Sequence, residues 1–138
     1  MRVISSKKKI LGNLLLGVVF FGILLLYFFN NPSNSDHFPQ CPFYIATGYY
    51  CTGCGSQRAL HDLLHLDIMG VAKHNLLFIP AFLLIAYHWV RTYAPLKGKE
   101  ILPDVIYHPK TPLVLFIIII LFTIFRNVNI YPFTLLAP

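Results

Sequence analysis

The sequence predicts an all-α integral membrane protein with three transmembrane helices, plus one short amphipathic interfacial helix after a Cys-x-x-Cys turn. Three observations predict it. The 138 residues are 57% hydrophobic, above the roughly 45–50% of soluble domains even when glycine is included there, and mean hydropathy is +0.65. The apolar residues gather into three long runs. The basic residues stand at the ends of those runs and form no stripe along one face. The formal charge of +6 therefore reads as a topology signal, and with no base-reading motif present nucleic acid is excluded as a partner.

The whole chain, 1–138, reads as a single membrane domain. The first span covers residues 10–29, preceded by Arg2, Lys7, Lys8 and Lys9. Its twenty residues reach about 30 Å as a helix, the thickness of a hydrocarbon core. A cleaved signal peptide is the competing reading. The run exceeds the usual apolar region of about 7–15 residues, and YFFNNPSNS offers no small-x-small cleavage site, so the segment reads as an uncleaved signal anchor. Residues 30–40 are rich in Asn, Pro and Ser, the composition of a loop.

Residues 76–93 form the second span, with Tyr87, Trp89 and Tyr93 toward its end. Residues 91–111 make a basic, proline-punctuated connection. Residues 112–128 form a third span that is short for a full crossing, and Arg126 near its end is placed to extend its head toward the interface. With the N-terminus cytoplasmic, the inner segments hold eight of the eleven basic residues, and Arg58, Lys73 and Arg126 lie outside. That asymmetry puts residues 41–67 on the extracytoplasmic face.

Residues 41–67 hold all three cysteines, two of the six histidines and an arginine. Cys51 and Cys54 frame a turn with Gly53 inside it and Gly55 after it, and glycine supplies the positive φ that tight turns need. From Ser56, a plausible N-cap, the periodicity becomes helical. Ala59, Leu60, Leu63, Leu64 and Leu66 share one face, and Gln57, Arg58, His61, Asp62 and His65 share the other. Such a helix suits the membrane interface.

Three chemistries fit. Thiol redox exchange would use Cys51 and Cys54 at a helix start, where the macrodipole favours a thiolate, although no βαβ pattern surrounds the motif. A zinc site would use Cys41, Cys51 and Cys54 with one of His61, His65 or His74. A structural disulfide would join two of the three cysteines, in any of three pairings. Arg58 and Asp62, four apart, read as a surface pair or as a site for an anionic headgroup.

The run Cys41-Pro42, Thr47-Gly48, Cys51, Gly53-Cys54-Gly55 and Arg58-Ala59 resembles the signature of domain of unknown function 2752, small bacterial membrane proteins. Asp67, Asn75 and the pair Arg126-Asn127 stand at matching places, so the resemblance covers Cys41 to Asn127. Thr52, Leu66 and Leu76 depart from the usual proline, glycine and proline. The resemblance implies the bacterial inner membrane and brings no established activity. The expected function is a non-enzymatic binding or accessory subunit, with membrane lipid and another membrane protein or a second copy as partners. The alternative is a membrane-bound thiol-disulfide redox factor.

Overall fold

A computed structural model describes residues 2–34, 38–93 and 108–137, with the side chains of residues 2–10 outside the description. Arg2, Lys7, Lys8 and Lys9 as side chains, and Lys97 and Lys99 of the basic connection, thus lie outside the described residues. Every regular element described is helical: α1 Arg2–Phe29, α2 Pro42–Thr47, α3 Ser56–Leu64, α4 Ile68–His74, α5 Phe78–Tyr93 and α6 Thr111–Arg126, followed by a 3₁₀ turn at Phe133–Leu136.

Among the described residues, one helix, over Leu11–Phe29, is long and apolar enough to cross a membrane, and none of that stretch is buried in the protein. Helices α4 and α5 pass the same test only as a pair, and a bend of 116° separates them. Helix α6 is apolar but has 16 residues, about 24 Å at 1.5 Å per residue. Length and composition thus support one span outright.

The cysteine segment differs from the single interfacial helix expected. Leu66 adopts φ 61°, a left-handed conformation costly for a residue with a Cβ, and this ends α3. The chain restarts immediately as α4, because the Asp67 side chain accepts a hydrogen bond from the Gly70 N–H at 2.9 Å and caps the new helix. Ser56 is the first helical residue and not the cap. The cap position belongs to Gly55, at φ 79°, where a serine side chain would be strained. The freed Ser56 hydroxyl instead accepts from Asn75.

The core is small and lies outside the long helices. Among the described residues, the buried set is Cys54, Ala59, Val71, Asn75 and Arg126, contributed by the cysteine turn, α3, α4 and the end of α6. Helices α3 and α4 pack on each other, α1 touches this unit through α3, and α5 touches it through α4. The apolar flanks of α1, α5 and α6 are exposed, so the polar cysteine unit is what gathers the helices.

Gly70 sits at the tightest point of this unit. A Cβ there would lie 2.7 Å from one oxygen of Asp62 and 2.7 Å from one of Asp67. Asp67 is committed to the α4 cap and Asp62 is half-buried, so neither can swing aside freely. Gly70→Ala is expected to destabilise the protein by about 1–3 kcal/mol, the usual range for overpacking, measured as a lowered thermal midpoint in detergent.

Candidate functional site

Two segments deliver the three sulfurs. Cys41 precedes α2, whose first turn begins with Pro42, a residue suited to that position because its missing N–H would have no partner. Gly48 closes α2 in the left-handed conformation, φ 75°, and turns the chain back. Tyr50 then leads to Cys51, and the turn Cys51–Cys54, closed by Cys54 N–H to Cys51 O at 3.1 Å, folds the third sulfur beside the second.

Cys41 Sγ lies 3.3 Å from Cys51 Sγ, and Cys51 Sγ lies 3.4 Å from Cys54 Sγ. All three sulfurs lie within 4.8 Å of one another. They are free thiols, with Cys54 buried and the other two half-buried. A zinc ion bonded to thiolates at about 2.3 Å in a tetrahedron separates its sulfurs by about 3.8 Å. The Cys41–Cys51 and Cys51–Cys54 spacings fall 0.4–0.5 Å short of that value, so the donor set fits a soft divalent ion once the side chains open slightly. No histidine completes the cluster among the described residues.

The histidines face another way. His61 donates from Nδ1 to the Tyr27 carbonyl at 2.7 Å, and His65 donates from Nδ1 to the His61 carbonyl at 2.8 Å. The two rings, four residues apart, do share a face, with centroids 4.4 Å apart, and His65 stacks on Phe28 at 4.5 Å. Together they fasten α3 to the end of α1. His74 lies beside Asp62, Nε2 to Oδ2 at 3.5 Å, though that oxygen makes no hydrogen bond. This replaces the expected Arg58–Asp62 pair: the bend after α3 folds α4 back so that His74 reaches the carboxylate.

Arg126 overturns the expectation of a snorkelling side chain. It is 1% exposed, and its guanidinium donates to the carbonyls of Cys51 at 3.2 Å, Cys54 at 2.7 Å and His74 at 3.2 Å. The planar fork suits several acceptors at once. Its charge lies 5.4 Å from the Phe122 ring centre and 5.9 Å from that of Tyr50, within cation–π range. The neighbouring Asn127 pairs with both backbone groups of Tyr50. Its Oδ1 accepts from Tyr50 N–H at 2.8 Å and its Nδ2 donates to Tyr50 O at 2.9 Å. Asn75, 2% exposed, completes the cradle by donating to Thr52 O at 2.8 Å and Ser56 Oγ at 2.9 Å. The turn's backbone is thereby held from behind, and its sulfurs are left on the other side. Asn75 was legible only as a position in the family pattern, and its polarity before an apolar run was the available signal.

The two outer thiols of the sequence triad differ in acidity. Cys41 is brought down to about 7, chiefly because the Tyr44 N–H in the first turn of α2 faces its sulfur, though outside full hydrogen-bond geometry; burial opposes this, and contacts with Cys51 and Cys54 support it. Burial is the main reason that Cys54 is pushed up to about 12. The sign is simple: raising pH through about 7 creates the Cys41 thiolate while Cys54 stays protonated. In metal-free, reduced protein, iodoacetamide labelling of Cys41 is expected to rise with a midpoint near pH 7, and Cys54 to remain unlabelled in the folded state. Peptide mass spectrometry at a series of pH values measures both.

Residues 41–89 match a family model described as a protein of unknown function, DUF2752. The match begins at Cys41 and takes in the triad, Arg58 and Asn75, so the DUF2752 segment supplies every sulfur of the site. Arg126 and Asn127 clasp that segment from outside it. No curated protein and no solved structure matches the chain.

Proposed function

We propose that this is a small multi-pass protein of the bacterial inner membrane in which Cys41, Cys51 and Cys54 hold a structural zinc ion. The N-terminus is cytoplasmic and the triad extracytoplasmic, in line with the charge asymmetry. Helices α1, α5 and α6 are taken as three spans, α5 and α6 crossing with the help of their flanks. The single observation that carries the reading is the convergence of three free sulfurs, within 4.8 Å of one another, from two separate turns.

Bound zinc would fix the turn covalently in all but name, as structural zinc sites do. The chain's own residues do the rest. Arg126 and Asn75 occupy the turn's carbonyls, and Arg126 sets a positive charge behind the thiolates. The result is a rigid outer surface on which lipid, another membrane protein or a second copy is recognised, without a chemical step.

A redox role stands second, favoured by Cys51 touching both other sulfurs. A Cys51–Cys54 disulfide would be reduced to two thiols as a client dithiol is oxidised, the client supplying two electrons and two protons. Native mass spectrometry of protein purified without chelator decides: one zinc per chain is expected. A mass two hydrogens below the reduced chain with no metal would sink the metal reading. Labelling of metal-stripped protein in spheroplasts by an impermeant thiol reagent tests the orientation, and protection of Cys41 there would overturn it.

A further inference from the structure

The three sulfurs are not equivalent. Cys51 Sγ touches Cys41 Sγ at 3.3 Å and Cys54 Sγ at 3.4 Å, so either neighbour is within reach of a disulfide with it. Sequence spacing points to Cys54. The folded surroundings point to Cys41.

A disulfide closes such a contact to about 2.05 Å, so one sulfur must travel more than an ångström. Cys54 is held against that movement. It is 5% exposed, its sulfur accepts the Cys51 N–H at 3.3 Å, and Arg126 fixes its carbonyl and that of Cys51 together. Both ends of the Cys51–Cys54 turn are thereby pinned to the end of α6. Among the described residues, Arg126, Asn127 and Asn75 bond that turn and its approach and not Cys41. The segment carrying Cys41 is tied to α3 by a long bond, Gln57 Nε2 to Pro39 O at 3.3 Å, and is the part free to close the gap.

Access divides the sulfurs in the same way. A cavity of ≈ 640 Å³ lies over the triad, walled by Pro39, Tyr44, Tyr50 and Arg58. That volume is in the range of sites for organic ligands. Cys41 and Cys51 meet it half-buried, whereas Cys54 is buried.

We propose that the redox-active pair is Cys41–Cys51, with Cys41 the sulfur that exchanges with a dithiol client and Cys54 taking no part. The proposal rests on the redox reading given second above and moves it off the Cys-x-x-Cys motif. In the oxidised chain a client thiolate attacks Cys41 Sγ, the Cys41–Cys51 bond breaks, and Cys51 leaves as a thiolate and takes a proton. The second client thiol gives up its proton, attacks the client sulfur of the mixed disulfide and releases Cys41, which is protonated in turn. The client leaves as a disulfide, its two electrons and two protons now on Cys41 and Cys51. Glutathione disulfide runs these steps backwards and returns the pair to the oxidised form.

The full chain in maltoside micelles, reduced and freed of metal by chelator, is pulsed with glutathione disulfide, quenched by alkylation in acid and mapped by peptide mass spectrometry. Cys41–Cys51 is the expected first disulfide. Cys51→Ser is expected to hold glutathione on Cys41, and Cys54→Ser to oxidise within twofold of the unsubstituted rate. Cys41→Ser should oxidise at least tenfold more slowly, despite its intact Cys-x-x-Cys. A first disulfide at Cys51–Cys54 in the unsubstituted protein overturns the assignment, whatever the variants do, as does an unchanged rate in Cys41→Ser. If the folded chain forms neither a mixed nor an internal disulfide while the denatured chain forms both, the redox reading itself falls.

Discussion

Arg126→Ala is expected to unfold the cysteine unit. The substitution removes donors to the carbonyls of Cys51, Cys54 and His74. Cys51 O keeps the Cys54 N–H and Cys54 O keeps a long contact to Asn75 at 3.4 Å, so the loss falls hardest on His74 O and on the space vacated by a side chain that is 1% exposed. Unsatisfied buried acceptors cost about 1–3 kcal/mol each, and the cavity adds to that. A total of about 3–5 kcal/mol is therefore expected, read as a lowered thermal midpoint in detergent and as full alkylation of Cys54 at neutral pH. Arg126→Lys keeps the charge, but one ammonium cannot span three carbonyls arranged for a planar fork. It should recover less than half of the lost stability. A wild-type melting curve for Arg126→Ala would remove the clasp from this account.

Cys51→Ser is expected to abolish metal binding. Cys51 is the sulfur in contact with both others, so its loss leaves Cys41 and Cys54 without the bridge that holds them as one donor set. Two thiolates and a hydroxyl make a poor soft-metal site, and affinity should fall at least a thousandfold by competition with a chromophoric chelator. Stripping zinc from the wild type should mimic the variant, lowering the thermal midpoint because the metal's binding energy is folding energy. Restoration by stoichiometric zinc is expected in the wild type and not in Cys51→Ser. If chelation leaves the wild-type midpoint unchanged, zinc is not a structural element of this protein.

What could be read from the sequence was local. The turn Cys51–Cys54 needs only four consecutive residues and a glycine at Gly55, so its geometry was legible, although positive φ falls on Gly48 and Gly55 and Gly53 does not need it. His61 and His65 were legible as sharing a helix face, because spacing of four fixes that. The surface that face meets depends on Tyr27 and Phe28, more than thirty residues earlier, and periodicity carries no such information.

Arg126 was misread for the same reason. A cation after an apolar run satisfies the interface and the buried clasp equally well, and only contacts 72–75 residues away distinguish them. The break at Leu66 was hidden by the leucines around it, which favour continued helix; the cap at Asp67 and the packing of α4 on α3 override that preference.

The clasp also sets an order of events. Cys51 leaves the ribosome 75 residues ahead of the arginine that secures its carbonyl, and Tyr50 waits 77 residues for Asn127. During that interval the turn lacks the support of α6 and is held by nearer contacts alone, such as that from Asn75, and loop closure over that length must await α6. The cysteine motif is thus finished from the far side of the chain. A nascent protein halted before α6 would present three accessible, unguarded thiols to whatever oxidant or metal it meets, whereas the finished protein presents a preformed nest.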